Sequence, residues 1–310
     1  MDYKPIVRMR DVAAKQMNRE RHAKTRERQP LKISIRRHAR ELLRGRLTTR
    51  DIEIVRALIG VGMLTRHQIQ RIFFNNSHKS ASHRLTKLYH YHFLDRNSYW
   101  LTDMRADGLQ PCFIYTIGAT GLEAFAQRMG MARSQIPFNP ARYTLTRDDH
   151  FLLHDLRISE MFTQLRLHVR REEGELIWFN EAASMVHVGQ EEIVRPDGLG
   201  VQLSGGREAA FFVEMDRGHT DWAHKVRAYD QAYQSNVWRR MFKISGWQPT
   251  AYPPVLCVVP DGLLEKARET IGQERPMTEF YIKGWSAFLA EETLRSWYRA
   301  RTGAWADLRF

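Results

Sequence analysis

The chain has 310 residues, 43% of them hydrophobic and including eight Trp and fifteen Phe, which excludes an intrinsically disordered protein and suits two domains. Its formal charge of +13 is concentrated at one end: residues 1–50 carry 16 Lys/Arg against 5 Asp/Glu, residues 51–130 carry 9 against 6, and residues 131–310 carry 23 against 24. A cationic segment of this kind favours a polyanion, because each Lys or Arg near a phosphate releases condensed counterions. Nucleic acid is the leading candidate and an anionic membrane surface the other. No stretch approaches 18 apolar residues and the N-terminus has no apolar core, so neither a membrane span nor a secretory signal is expected. The two cysteines, Cys112 and Cys257, lie far apart in apolar runs with no metal or disulfide spacing, which fits buried thiols in a reducing cytoplasm.

In chain order, residues 1–47 read as a basic arm, with a short helix over 31–46 whose apolar residues Ile35, Ala39, Leu42 and Leu43 leave an arginine-rich face, Arg36 and Arg37 among it. A tighter pattern then spans 48–130. Thr48 or Thr49 can cap a helix carrying Ile52, Val55, Leu58 and Ile59, and Thr65 a second one carrying Ile69, Ile72 and Phe73. A third helix is expected over Ser80–Tyr91, followed by strands at Tyr99–Thr102 and Cys112–Ile117 and a helix at Gly118–Arg128. Three helices, a two-stranded wing and a closing helix form the winged variant of helix-turn-helix.

At about 100° per residue, Ala81, Leu85 and Leu88 of the third helix share one face. Lys79, His83, Thr86, Lys87 and His90 fall opposite, with Ser80 and Ser82 at the edges. That outer face holds donors and no carboxylate, as a helix entering a major groove requires; an ordinary solvated face usually mixes signs. Arg66, Arg71 and Arg84 are candidates for phosphate contacts, and Arg96 and Arg105 for a flanking minor groove.

Residues 131–147, with Pro137 and Pro140 and no apolar period, read as a linker. From 148 to 310 the pattern is α/β with a mixed sheet: a helix over Arg147–Arg171, strands at Leu176–Asn180, Ile193–Leu203 and Glu208–Glu214, a helix over Asp221–Gln234, a strand at Val255–Val259, a helix over Leu263–Ile271 and a strand at Glu279–Lys283. The stretch Trp285–Phe310 reads as a helix and tail, its Trp285, Trp297 and Trp305 packed on the body.

Acids stand at the ends of two of these strands, in Arg195-Pro196-Asp197-Gly198 and in Phe212-Val213-Glu214-Met215-Asp216. A hairpin brings Asp197 and Glu214 to one sheet edge; the upstream helix offers Glu160, and the helix after Asp216 offers Lys225 and Tyr229, one turn apart. Such a set can hold Mg²⁺ or Mn²⁺ in an oxygen shell while the lysine steadies phosphate charge. The competing reading is plain turn chemistry at Pro-Asp-Gly, with Glu-x-Asp capping the next helix or pairing with Arg217.

In order and spacing these segments resemble the plasmid replication-relaxation family over about residues 48–260. The resemblance rests on Tyr115-Thr-Ile-Gly118-Ala-Thr-Gly121, on His154-Asp-Leu-Arg-Ile-Ser-Glu160, on Arg195-Pro-Asp197-Gly, and on Phe211-Phe-Val-Glu214-Met-Asp216-Arg-Gly218 with Lys225 and Tyr229. It implies an α+β protein, a winged helix-turn-helix followed by a mixed-sheet domain like the restriction-endonuclease core of PD-(D/E)XK proteins. On that implication Glu160, Asp197 and Glu214 are the metal ligands and Lys225 a catalytic lysine displaced to the helix, since Asp216 stands where the general pattern has that lysine. The function implied is DNA binding in plasmid or mobile-element replication, mobilisation or transcription control, with duplex DNA as partner, a homodimer on a palindromic site as an option, and no cofactor needed for binding. The alternative is a Mg²⁺- or Mn²⁺-dependent DNA endonuclease.

Overall fold

The computed structural model describes residues 29–102, 109–143, 149–205, 207–241, 251–290 and 295–308, with only the backbone described at some of them, including 98–102 and 109–112. Arg105 and the side chain of Cys112 therefore lie outside the described residues. The chain divides into two units, Met1–Thr163 and Gln164–Phe310.

In the first unit, α1 (Ile35–Leu43) starts at Ser34, whose hydroxyl accepts from the Arg37 N–H. Ala39 and Leu42 are fully buried, and the helix packs on the helix Ala119–Met129, with the Gln127 side-chain amide donating to the Arg36 carbonyl. The expected arm thus ends in a helix that belongs to the folded body. α2 (Thr49–Val61) follows a complete capping box, in which the Thr48 side chain accepts from the Asp51 N–H and the Asp51 carboxylate from the Thr48 N–H. A short strand, β1 (Met63–Thr65), comes next; it is too short to show a period. Thr65 then caps α3 (Arg66–Phe73) in a second box with Gln68. The turn at Asn75 and Asn76, both at positive φ, leads through the Ser77 cap into α4 (His78–His90).

The strands β2 (Leu94–Thr102) and β3 (Leu109–Ile117) pair antiparallel along their whole length, and β3 also takes β1 as its other neighbour. α5 (Ala119–Met129) leaves this sheet at the Gly118–Gly121 junction. A Cβ at Gly118 would meet the His92 carbonyl oxygen at 2.4 Å and one at Gly121 the Phe93 carbonyl oxygen at 2.1 Å. Those two glycines let the helix start sit against backbone, which is what the Tyr115–Gly121 motif encodes.

Residues 131–143 are mostly exposed. They form two 3₁₀ turns, Arg133–Gln135 and Pro140–Tyr143, and bury Ile136 and Tyr143. Tyr143 packs with Met63, Ile114, Leu152 and Leu156. The last two belong to α6 (Asp149–Arg171), whose Ser159 hydroxyl also donates to the Met63 carbonyl. The unit boundary consequently falls inside this helix, between Thr163 and Gln164, because its first part completes the core of the first unit.

The second unit is built on a seven-stranded mixed sheet in the order Ala304–Ala306, Trp297–Arg299, Phe280–Gly284, Val255–Val259, Arg207–Met215, Gly198–Ser204, Glu175–Asn180. β4 (Glu175–Asn180) leads through a one-turn α7 (Glu181–Ser184) to a hairpin of β5 (Val186–Val188) and β6 (Glu191–Val194), then to β7 (Gly198–Ser204) and β8 (Arg207–Met215). The single strand expected over 193–203 is thus two: Pro196 has no N–H for a ladder and Asp197 turns the chain into β7. β4, β7 and β8 pair antiparallel. α8 (Trp222–Ser235) and a short α9 (Trp238–Met241) precede β9 (Val255–Val259), parallel to β8; α10 (Leu264–Gln273) then leads to β10 (Phe280–Gly284), parallel to β9. A core of Leu199, Val201, Phe212, Val226, Tyr229, Val255, Ile271 and Ile282, among others, joins the sheet to α8 and α10.

The C-terminal stretch is a one-and-a-half-turn α11 (Trp285–Ala290) and an antiparallel hairpin, β11 (Trp297–Arg299) with β12 (Ala304–Ala306), that extends the sheet. Trp285 and Trp297 are buried as expected, but Trp305 is 54% exposed on the edge strand.

Candidate functional site

The outer face of α4 arises from its register. Ala81, Leu85 and Leu88 are fully buried, so the residues between them point away from the core. Lys79, Ser80, His83, Lys87 and His90 are exposed, and Ser82 and Thr86 half-buried. No Asp or Glu occurs between His78 and His90.

Two of the arginines named from sequence, Arg71 and Arg84, do not share this freedom. Arg84 donates from Nε to Asp51 Oδ1 at 2.9 Å and from Nη2 to Asp51 Oδ2 and, at 2.8 Å, the Arg46 carbonyl. Asp51 is fully buried, and its hydrogen bond raises the Arg84 pKa further above the usual guanidinium range. Arg71 donates to Glu160 Oε1 at 2.8 Å with little solvent on either side chain. Arg96 stacks over Tyr89 and Phe113, at 4.2 and 4.9 Å from the ring centroids, and Arg66 lies 6.0 Å from that of Phe113. Arg36 and Arg37 are exposed, the latter bonded to Glu41 across one turn. Arg71 and Arg84 therefore tie helices together, whereas Lys79, His83 and Lys87 face outward. Sequence reasoning missed both ion pairs: Asp51 and Arg84 are 33 positions apart, Arg71 and Glu160 89.

Glu160, expected as a third metal ligand, has both oxygens engaged within the first unit, Oε1 by Arg71 and Oε2 by the Gln68 side-chain amide at 3.0 Å.

In the second unit the expected neighbours meet. Asp197 follows the interruption between β6 and β7 at Pro196; its N–H donates to the Val213 carbonyl, and its Oδ2 accepts from the Met215 N–H at 2.7 Å. Glu214, in β8, is 3% exposed. Lys225 Nζ donates to both of its oxygens at 2.7 Å, Tyr229 OH donates to Oε1 at 2.7 Å, and Lys225 Nζ also reaches the Arg195 carbonyl at 3.2 Å. Lys225 and Tyr229 stand one turn apart on α8, so one helix face supplies both donors. Burial pushes the Glu214 pKa up to about 7; the Lys225 charge pulls it back and the Asp197 charge adds to the rise. Burial holds the Cys257 thiol, opposite Glu214 in the ladder, well above its usual range and therefore protonated.

Asp216 has the other role open to it in the sequence. Its Oδ1 accepts from the Gly218 N–H, the Thr220 N–H and the Thr220 hydroxyl. It shapes the turn before α8, which Asp221 caps by accepting from the His224 N–H.

A hard divalent cation takes six or more oxygen ligands. Among the described residues no group of three or more His, Cys, Asp and Glu side chains is placed to hold one. Glu214 already faces an ammonium through both oxygens. This donor set fits Lys225 better than it fits a metal.

Among the described residues no helix is long and apolar enough to cross a membrane. The family model described as replication-relaxation matches residues 55–245, which run from within α2 to beyond α9. No curated protein and no solved structure matches the chain.

Proposed function

The chain belongs to the replication-relaxation family, which points to a role in plasmid or mobile-element replication or mobilisation, and from that premise we propose that it acts as a DNA-binding protein. The observation that carries this reading is the acid-free outer face of α4, with Lys79, His83 and Lys87 exposed above a buried Ala81–Leu85–Leu88 seam. The succession α2, α3, α4 and the β2–β3 ribbon supports reading the first unit as a winged helix, with α4 in the major groove and the ribbon beside it. Arg36 and Arg37 on α1 add positive charge at the same end of the chain. The succession α6, β4, β7, β8, α8, β9 supports reading the second unit as a restriction-endonuclease-like core.

Fluorescence anisotropy with a labelled duplex tests the proposal. Duplex DNA should bind with a steep inverse salt dependence and survive competition by heparin better than a Lys79→Glu/Lys87→Glu variant does. Equal displacement of wild type and variant by heparin would remove the basis of groove reading. Two copies on a two-fold DNA site extend the proposal, and sedimentation of the DNA complex gives the copy number.

A second reading, a Mg²⁺- or Mn²⁺-dependent DNA endonuclease, draws on one observation: Lys225 reaches Glu214 from α8 beside Asp197. A plasmid nicking assay with Mn²⁺ separates the two. Cleavage by wild type and none by Glu214→Ala supports the enzyme, and no cleavage by wild type retires it.

A further inference from the structure

The α1–α2 loop and the first turn of α2 lie beside α4 and the turn before it, and three contacts put them there. Arg84, on α4, donates to the Arg46 carbonyl while holding Asp51 of α2. The Arg46 guanidinium lies 5.9 Å from the ring centroid of Tyr91, the residue that ends α4. The Arg50 guanidinium lies 4.3 Å from that of Phe74, just before the turn into α4. Arg46 thus sits at the C-terminal end of α4, and Arg50 beside the turn that leads into its N-terminal end.

Both arginines are exposed. Neither has a carboxylate partner among the described residues, whereas Arg37, Arg56, Arg71 and Arg84 all do. A guanidinium stacked by its face on a ring keeps its N–H edges outward and loses less freedom on binding an oxyanion. Arg46 and Arg50 are therefore held over rings, unneutralised by a carboxylate among the described residues, and set near the C-terminal end of α4 and the turn before its N-terminal end.

We infer that Arg46 and Arg50 form a phosphate clamp that grips the DNA backbone on one side of the groove entered by α4. This rests on the DNA-binding reading above and assigns a part of the surface that the sequence pattern had left out. The partner chemistry is a row of phosphodiesters: the clamp carries charge and stacking and presents no short polar group for a base edge, so it adds affinity without sequence preference. The buried Asp51–Arg84 pair gives the clamp its position, since it joins the loop to the helix that reads the groove.

The test is the salt dependence of binding to a short fluorescent duplex of random sequence, measured by anisotropy between about 50 and 200 mM salt. Arg46→Gln/Arg50→Gln should lower the magnitude of the log–log slope by about 2, near 0.9 per phosphate contact, with an unchanged melting temperature. Arg46→Lys/Arg50→Lys keeps the charge and should keep the slope. A slope in the Gln variant equal to wild type, with wild-type binding intact, overturns the clamp and leaves the groove-reading proposal standing. Failure of the wild-type chain to prefer duplex over heparin overturns that proposal, and the clamp with it.

Discussion

The two units handle buried charge in opposite ways. In the first, two buried acids each meet an arginine from another helix, Asp51 with Arg84 and Glu160 with Arg71, and cations such as Lys79 and Lys87 are left at the surface. In the second, the central acid sits on a sheet strand, Glu214, and a single helix brings a lysine and a tyrosine down onto it. The first arrangement fixes the angles between helices and leaves an outward positive field. The second closes a buried carboxylate against the core and leaves the unit without net positive charge. The excess positive charge therefore lies in the first unit, and the polar centre of the second is already balanced.

The largest expected effect breaks the second arrangement. Lys225→Met strands Glu214 in the core and should cost roughly 3–5 kcal/mol of stability, the range for removing one partner of a buried pair, read from urea denaturation of the full chain. Glu214→Gln/Lys225→Met should recover most of it, and DNA affinity should stay near wild type in both. An equal loss in single and double variants would mean that the lysine stem, not its charge, holds the site.

Arg84→Met is the matching test in the first unit. It leaves Asp51 buried and unpaired, and about 3 kcal/mol is expected, with a fall in DNA affinity because the α1–α2 loop loses its tie to α4. Stability loss without any change in affinity would uncouple that pair from binding.

Lys79→Glu/Lys87→Glu should do the reverse: on the order of a hundredfold weaker duplex binding, from two contacts at roughly 1–3 kcal/mol each, with stability within about 0.5 kcal/mol of wild type, as befits exposed positions. If DNA binding survives this change, α4 is not the element that carries it.

The smallest effect is in pH dependence. The folded-state pKa of Glu214 is raised, so its contribution to stability is fully present below the ordinary carboxylate value near 4.5 and is lost as pH rises through about 7. Wild type should therefore lose stability relative to Glu214→Gln between those values, and the difference should level off above. Urea midpoints across that range give the answer, and parallel curves for the two proteins would show that Glu214 does not titrate there.

Much of this was legible in the sequence where the signal is local. Thr48-x-x-Asp51 and Thr65-x-x-Gln68 announce two helix starts because a cap and its box partner lie one turn apart, and both boxes form. The Ala81–Leu85–Leu88 period places the α4 faces, and Lys225 and Tyr229, one turn apart, announce a shared helix face. The C-terminal hairpin was not legible: its two strands have three residues each, too few for alternation to show. Nor was the fate of Arg71, Arg84 and Glu160, since charge alone does not say whether a residue meets solvent, phosphate or a buried partner.

By itself, the sequence determined the helix starts, the buried and outward faces of α4, the concentration of positive charge towards the N-terminus, and the pairing of the Asp197 and Glu214 segments as neighbouring strands. All of these depend on residues within a turn or a hairpin of one another. Only the tertiary structure decided which charges are neutralised. Asp51 with Arg84 and Glu160 with Arg71 meet across long separations, Lys225 turns Glu214 inward, and Arg46 and Arg50 remain stacked and outward-facing beside α4. The physical reason is that a burial penalty on a charge exists only once the chain has folded around it, so the choice of partner is made by packing rather than by spacing.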